Sequence, residues 1–364
     1  MTDSNNDSEE TNAPISRGGR LAKSGPTIRD VARAADVSIG TVSKALNQNG
    51  NLKPETRKRI IAVAKELGFR PNNLAQSLHR GQSFTVGLIS NDSFGRFTMP
   101  IMEGLEACLA EQKIAVFMCN ATDDPERERQ HLEQLMGKRV DGLVITARRS
   151  DYHPGIDLGA VQLPIIYVFA QSDDPEAFSL LPDDEGGAKM GTAHLIEHGR
   201  KRIAHITGPE SFEAVQLRHS GYSAALADAG IVENPDYYLP GAWSEKWGRD
   251  AVEKLFALDH VAPDALFCGN DLIARGATDA LRERGISVPD DVAIVGFDNW
   301  EVMTNAARPP LTSVDMDLRN LGEEAGKRLI EMIGGKQFSG VHRLPCHLAV
   351  RESCGAHQQI ISAE

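Results

Sequence analysis

From residue 85 onward the chain alternates short apolar runs with longer amphipathic stretches. The runs TVGLIS (85–90), IAVFMCN (114–120), DGLVIT (141–146), PIIYVF (164–169), RIAHITG (202–208), DALFCGN (264–270) and VAIVGFD (292–298) have the length of buried strands. Between them, stretches such as MPIMEGLEACLAEQ show helical spacing. Strand and helix alternating in this way predict parallel sheets covered by helices. There are too many strands for one comfortable sheet, so two doubly wound lobes are expected.

The chain before residue 70 is patterned differently. Thr27 to Asp30 reads as an N-cap box ahead of Ile28, Val31 and Ala32, Ala35-Asp36-Val37 makes a tight turn, and Ser38 caps a second helix running to about Asn47. A third helix starts at Pro54, is expected to present Ile60, Ile61, Ala64 and Leu67 to a core, and stops at Gly68. This is the pattern of a helix-turn-helix, whose second helix lies in the DNA major groove. In that helix Val42, Ala45 and Leu46 form the inner face, and Ile39, Gly40, Ser43 and Lys44 face the groove. Lys44 can reach a guanine edge or a phosphate, Ile39 only a thymine methyl, and Gly40 nothing, so direct readout is sparse. The next segment, RPNNLAQSLHRG (70–81), holds a helical pattern from Asn72 to Arg80. That is shorter than the roughly 12–15 residues at which an isolated helix persists in water, so alone it is expected to be largely unfolded.

Charge sharpens the division. The net charge of −12 over 364 residues looks hostile to nucleic acid, yet residues 20–83 carry twelve Lys or Arg against four Asp or Glu. A small basic head on a large acidic body suggests a polyanion-binding module joined to something that binds no polyanion. No apolar run is long enough for a membrane helix, and the polar, acidic N-terminus does not resemble a secretory signal, so a cytoplasmic protein is expected. The five cysteines lie far apart without a CxxC pair, which suits buried thiols.

Together TIRDVARAADVSIGTVSKALN and ETRKRIIAVAKELGFRPNNLAQSLHRG resemble the DNA-binding head of the lactose repressor (LacI/GalR) family of bacterial transcription regulators, and the likeness runs from about Thr27 to Ser353. The resemblance implies base reading by Ile39, Gly40 and Lys44 and phosphate contacts by Thr41 and Ser43, within a DNA-contacting set of Thr27, Ser38, Ile39, Gly40, Thr41, Ser43, Lys44, Asn47, Asn72 and Leu78. Gly40 departs from the family pattern, as does Lys44 where Arg is usual. The segment after Arg70 would be the hinge helix that orders on DNA, with Leu78 as a minor-groove wedge; such insertion unstacks a base step and bends the duplex.

The implied architecture is a small all-α helix-turn-helix head plus an α/β body of two doubly wound parallel-sheet lobes of periplasmic-binding-protein type. Its expected parts are a disordered polar tail (1–25), the helix-turn-helix domain (26–70), a hinge helix or linker (71–83), a two-lobed effector-binding and dimerisation domain (84–356) and a tail (357–364). By the same analogy one lobe takes 84–181 plus 316–341 and the other 182–315 plus 342–356.

Ligands in open parallel sheets sit beyond the carboxyl ends of the strands. The segments there, SNDSFGRF, FAQSDD, GPESFEAVQLR, GNDLIAR and GFDNWE, supply the planar polar groups and aromatic plates that polyols want. The resemblance places Asp92, Phe97, Arg218, Trp243, Asn270 and Asp298 in the pocket, while Phe169 and Ala170 depart from the acidic residues that often follow this strand. An enzyme is not expected: there is no GxSxG and no HExxH, and GGAKMG lacks a strand directly before it. His194 and His198, spaced i, i+4, read as a helix end rather than a metal site. Neither metal nor cofactor is expected. The expected function is a ligand-responsive homodimeric repressor of sugar uptake or metabolism genes, binding a palindromic operator and a small sugar. The alternatives are a different effector, such as a purine or a phosphorylated protein partner, or a non-regulatory ligand-binding protein.

Overall fold

The computed structural model describes residues 26–46, 50–69, 82–93, 95–150, 152–156, 158, 161–257 and 261–356. Two compact units divide between Arg80 and Gly81. The segment 70–81 and the tails lie outside the described residues, as do Asn47, Asn72 and Leu78.

The head is three helices, α1 (Ile28–Ala34), α2 (Ile39–Leu46) and α3 (Pro54–Glu66). The cap box forms: Thr27 Oγ1 accepts from the Asp30 amide at 3.4 Å and Asp30 Oδ2 accepts from the Thr27 amide at 2.9 Å. Ser38 Oγ accepts from the Thr41 amide at 3.1 Å and so starts α2. Val31, Val42, Ala45, Ile60 and Ala64 make the buried core, and Arg57 donates to the Gly50 carbonyl at 3.2 Å, tying the loop after α2 to α3. Ile61 and Leu67 were expected in that core and are instead exposed. A step of one residue turns a helix by about 100°, and α3 buries its Ile60, Val63, Ala64 stripe, which carries Ile61 to the outside.

The body begins with strands β1 (Thr85–Ser90), β2 (Ala115–Asn120), β3 (Gly142–Thr146), β4 (Tyr152–His153), β5 (Ile165–Val168), β6 (Gln171–Ser172) and β7 (Phe178–Pro182). These are followed by β8 (Ile203–Thr207), β9 (Tyr238–Pro240), β10 (Ala265–Cys268), β11 (Ala293–Phe297), β12 (Thr312–Asp315), β13 (Gly340–Leu344) and β14 (His347–Ala349). One six-stranded sheet runs β13-β7-β5-β3-β1-β2, wholly parallel; the other runs β14-β12-β11-β10-β8-β9 and is parallel except for β14. The seven apolar runs all became central or edge strands of these sheets.

The helices of the body are α4 (Thr98–Glu111), α5 (Pro125–Gly137), α6 (Asp184–Glu197), α7 (Glu213–Asp228), α8 (Glu245–Ala257), α9 (Asp271–Glu283), α10 (Glu301–Thr304) and α11 (Leu318–Ile333). They pack chiefly in pairs, α4 with α11 on the first sheet, α6 with α7 and α8 with α9 on the second. The chain therefore crosses between lobes three times: after β7, between β12 and α11, and between β13 and β14. The third crossing falls after Leu344, slightly later than the expected 341, because β13 stays paired to β7 until Leu344 lies opposite Pro182. No described helix is long and apolar enough to cross a membrane.

His205, central in β8, is wholly buried among Tyr222, Phe267 and Tyr238, with ring centroids 5.0–5.8 Å away. Its Nδ1 lies 3.1 Å from the Phe267 carbonyl, while Nε2 has no partner. Burial pushes the imidazole down to about 3, so the folded state holds it neutral while the unfolded chain protonates near 6.5. The stability it confers is complete above pH 6.5 and is lost as pH falls toward 3, at about 1.4 kcal/mol per pH unit. Urea unfolding between pH 7.5 and 4.5 should show that decline, and His205→Phe should flatten it; an unchanged slope in the variant would exclude His205 as its source.

Candidate ligand cleft and nucleic-acid interface

On the head, α2 presents one face to its neighbours and one to solvent. Val42 and Ala45 are fully buried and Leu46 partly so, whereas Ile39 is 46% exposed and Gly40 and Lys44 are exposed beside it. Thr41 and Ser43 are half-buried between the two faces. The Ser38 and Thr41 hydroxyls lie 2.9 Å apart. Thr27 spends its hydroxyl on the cap box, where it also meets Asp30 Oδ2 at 2.7 Å. This face offers one cation, one apolar side chain and hydroxyls, in keeping with sparse base reading.

In the body, the carboxyl ends of the two sheets face each other and four of the six expected ligand residues converge there. Asp298 follows β11 with its side chain 6% exposed. It sits between two guanidinium groups: Arg96, from the turn after β1, donates Nη2 to Asp298 Oδ2, and Arg218 Nη1 lies 3.6 Å from Asp298 Oδ1. Burial raises the Asp298 carboxyl above the usual carboxylate range, against the opposing pull of Arg96 and Arg218.

Each guanidinium has aromatic faces. Arg96 lies over Phe97 at 4.7 Å and over Trp300 at 4.5 Å, and Phe97 in turn stacks on Phe169 at 4.7 Å. Arg218 lies over Phe297 at 3.7 Å and Trp243 at 5.8 Å. These are cation–π geometries, stronger where water is excluded. Trp243 can lie so low because Gly208 is beneath it: a Cβ there would come within 2.2 Å of the indole.

Arg218 is committed within its own lobe. Its Nε donates to Asp184 Oδ1 at 2.7 Å and its Nη1 to the Gly269 carbonyl, so one side chain of α7 joins the start of α6 to the end of β10. Asp184 is 1% exposed.

The loop 298–300 is held from below. Asp271 Oδ1 accepts from Ser313 Oγ and Oδ2 from the Trp300 amide, both at 2.6 Å, and the Asn299 amide donates to Ser313 Oγ at 3.0 Å. Burial first, and Asp298 second, push the Asp271 carboxyl up to about 8. Gly296 makes this approach possible, since a Cβ would meet Asp271 Oδ1 at 2.4 Å. Held in this way, Asp298 takes φ 98°, a backbone conformation costing of order 1–3 kcal/mol that persists only where surroundings impose it.

The other two expected residues are occupied with local structure. Asp92 Oδ2 accepts from the Phe97 and Thr98 amides at 2.8 and 3.1 Å, which caps α4, and Asn270 Oδ1 accepts from the Ile273 amide at 2.9 Å, which caps α9. Arg96, Trp300, Asp184 and Asp271 were not among the expected residues. Arg96 stands in SNDSFGRF, just before Phe97, and its basic charge in a post-strand segment was the available signal. Asp271 directly follows Asn270 in GNDLIAR. His194 and His198 end α6 as expected, with His198 Nδ1 2.7 Å from the His194 carbonyl, and no group of three or more metal-ligating side chains occurs among the described residues.

Comparison with known proteins places both units. The description "Bacterial regulatory proteins, lacI family" fits residues 27–72 and "Periplasmic binding protein-like domain" fits residues 192–354. The chain is 33% identical over 314 residues to the HTH-type transcriptional repressor PurR of Aliivibrio fischeri (strain MJ11), spanning 85% of this chain and 92% of that protein. It is 33% identical over 335 residues to the PurR of Haemophilus influenzae (strain PittEE), spanning 90% and 98%. Among solved structures, the lac repressor dimer bound to operator and the anti-inducer ONPF superposes with a TM-score of 0.72 at 28% identity, over 91% of this chain and 99% of that one. The complex of the regulator CelR with cellobiose does so with a TM-score of 0.62 at 29% identity, over 90% and 99%.

Besides its expected place in the pocket, Arg218 holds a buried partner of its own, and removing it strands Asp184 in the interior. Losing one partner of a buried ion pair costs about 3–5 kcal/mol. Arg218→Met should lower the unfolding free energy of the body by about that amount, and adding Asp184→Asn should recover a good part of it. Unfolding curves of the single and double variants check this; equal stabilities for all three would show the pair to be idle.

Proposed function

We infer the function from one premise: the chain belongs to the lacI family of bacterial regulatory proteins. It is a DNA-binding transcription regulator. Within that frame we read it as a homodimeric repressor whose operator affinity is set by a small hydroxylated metabolite, a sugar or sugar derivative, bound between the lobes. Ile39, Gly40 and Lys44 are the base-reading positions of this proposal, Thr41 and Ser43 its phosphate contacts, and Leu78 its minor-groove wedge. The dimer fits the edge strand β2, which leaves Phe117 and Met118 exposed.

The observation that carries the effector reading is Asp298, a carboxylate buried at a strand's carboxyl end on a constrained backbone, flanked by two guanidinium groups that each lie over a tryptophan ring. A carboxylate accepts two hydroxyl hydrogen bonds at once, and Trp243 offers a face for a ring, whereas the Phe97 ring already carries Arg96 and Phe169. The likeness to PurR and the same Trp243 face favour a second reading, a flat heterocycle such as a purine. A thermal-shift screen of the full chain against monosaccharides, disaccharides, hypoxanthine and guanine separates the two.

Two outcomes test the proposal. The basic head, as a dimer neutralising about 6–10 phosphates, should lose on the order of a thousandfold in operator affinity between 50 and 200 mM salt. A binding curve flat across that range would rule out phosphate-driven recognition. Asp298→Asn should bind operator as the parent does yet respond at least about tenfold less to the effector, since hydrogen bonds to a charged group contribute about 1.5–3 kcal/mol. Operator titration with and without effector reads this directly, and a normal response would remove Asp298 from the site.

A further inference from the structure

Arg96 spans the cleft. Its backbone belongs to the turn after β1, yet its guanidinium bonds Asp298 and lies over Trp300, both of which follow β11 in the other lobe. Its side chain is only 15% exposed. Any molecule that enters between the lobes to reach Asp298 must take Arg96 away from it.

The two halves of the broken pair make different demands. Asp298 keeps Arg218 at 3.6 Å and can accept hydroxyl groups in place of Arg96. Arg96 loses its counter-charge while still held between two aromatic rings, and an ion left alone in such surroundings is among the costlier changes a protein undergoes. A neutral sugar or a purine satisfies the first demand and leaves the second unmet. A molecule with hydroxyl groups at one end and an anion at the other satisfies both. Arg218 is no rival for that anion, because Asp184 and the Gly269 carbonyl already take its Nε, Nη1 and Nη2. The planar fork fits carboxylate and phosphate alike, but one guanidinium supplies a single positive charge, which a carboxylate balances and a phosphate dianion exceeds.

We propose that the effector of this cleft is a polyhydroxy acid whose carboxylate pairs with Arg96 while its hydroxyl groups donate to Asp298. The proposal rests on the reading of the cleft as the effector site, and it makes Arg96 the residue that selects acid over neutral sugar.

The test is calorimetry on the full chain with matched ligands: D-galacturonate against D-galactose, D-glucuronate against D-glucose, with D-glucose 6-phosphate and hypoxanthine as further arms. At least one acid should bind about tenfold or more tightly than its neutral counterpart, a difference of about 1.4 kcal/mol. In Arg96→Met that preference should fall to within about threefold, and Arg96→Lys should restore part of it. Melting temperature and operator affinity of the variants report whether they fold, and the parent's acid-to-neutral ratio decides the matter even if they do not. A neutral sugar, the phosphate or hypoxanthine binding as tightly as the acids overturns the proposal. So does an acid preference that survives Arg96→Met, or no binding of any acid at millimolar concentration. Failure of the cleft reading is distinguishable: whatever ligand binds would then do so equally well to Asp298→Asn, whatever its charge.

Discussion

Asp298 is a carboxylate with almost no access to water, and the cleft is arranged around making that tolerable. A buried anion must be paired and hydrogen-bonded or give up its charge. Here the pairing comes from two lobes: Arg218 from α7 in its own lobe and Arg96 from the turn after β1 in the other. The backbone around it is fixed by a second buried carboxylate, Asp271, which holds the Trp300 amide and Ser313. Asp271 in turn is admitted because position 296 has no side chain. Arg218 is steadied by Asp184 and by the end of β10. Asp298 and Arg96 follow the carboxyl ends of parallel strands, and Asp184 and Asp271 begin the helices that come after them, so the parallel topology is what brings them together.

Much of this was legible in the residue pattern, and the gaps have physical causes. The seven apolar runs read as strands because central strands of parallel sheets are buried on both faces and so lack polar alternation. Strands β9, β12, β13 and β14 were not legible: TSVD and GVHRL, for example, carry polar residues, and their strand character comes from a neighbour's edge rather than from their own composition. FSLLP, though fully buried, is short and ends in Pro. Asp298 and Arg218 were marked by local motifs and by position after a strand. Arg96 was not, since nothing in SNDSFGRF distinguishes a surface arginine from one that reaches another lobe across roughly two hundred residues of sequence. Asp92 and Asn270 illustrate the converse. Asn270 stands at the N-cap of its helix, where capping is the commonest task of such residues, and caps it, while Asp92 reaches forward from the loop to the Phe97 and Thr98 amides.

The division of charge has a related logic. A head that must approach phosphate gathers Lys and Arg, while the body keeps an acidic surface that discourages contact with the same polyanion. Inside the body the balance is local: the cleft sets Arg96 and Arg218 against Asp184 and Asp298, while burial pushes the neighbouring Asp271 carboxyl upward. A ligand that altered this count would do so where the dielectric is low and each charge matters most.

Contacts between the lobes are of two kinds, and the difference bears on how a ligand could switch the molecule. Arg343 of β13 meets Glu213 of α7 at 3.2 Å, and Arg149 lies 5.0 Å over Phe212; neither involves Asp298. The Arg96–Asp298 pair occupies the place proposed for the ligand. A ligand can shift a conformational equilibrium only by its differential affinity for the two states. If it merely added contacts to lobes already joined, that difference would be small. In the proposed reading it exchanges one cross-cleft ion pair for its own groups, so the change in free energy falls on a contact between the lobes, while the three chain crossings and the Arg343–Glu213 pair keep them in register. A coupling of about 1–3 kcal/mol, the ordinary scale for allosteric sites, is of the size that such an exchange can supply.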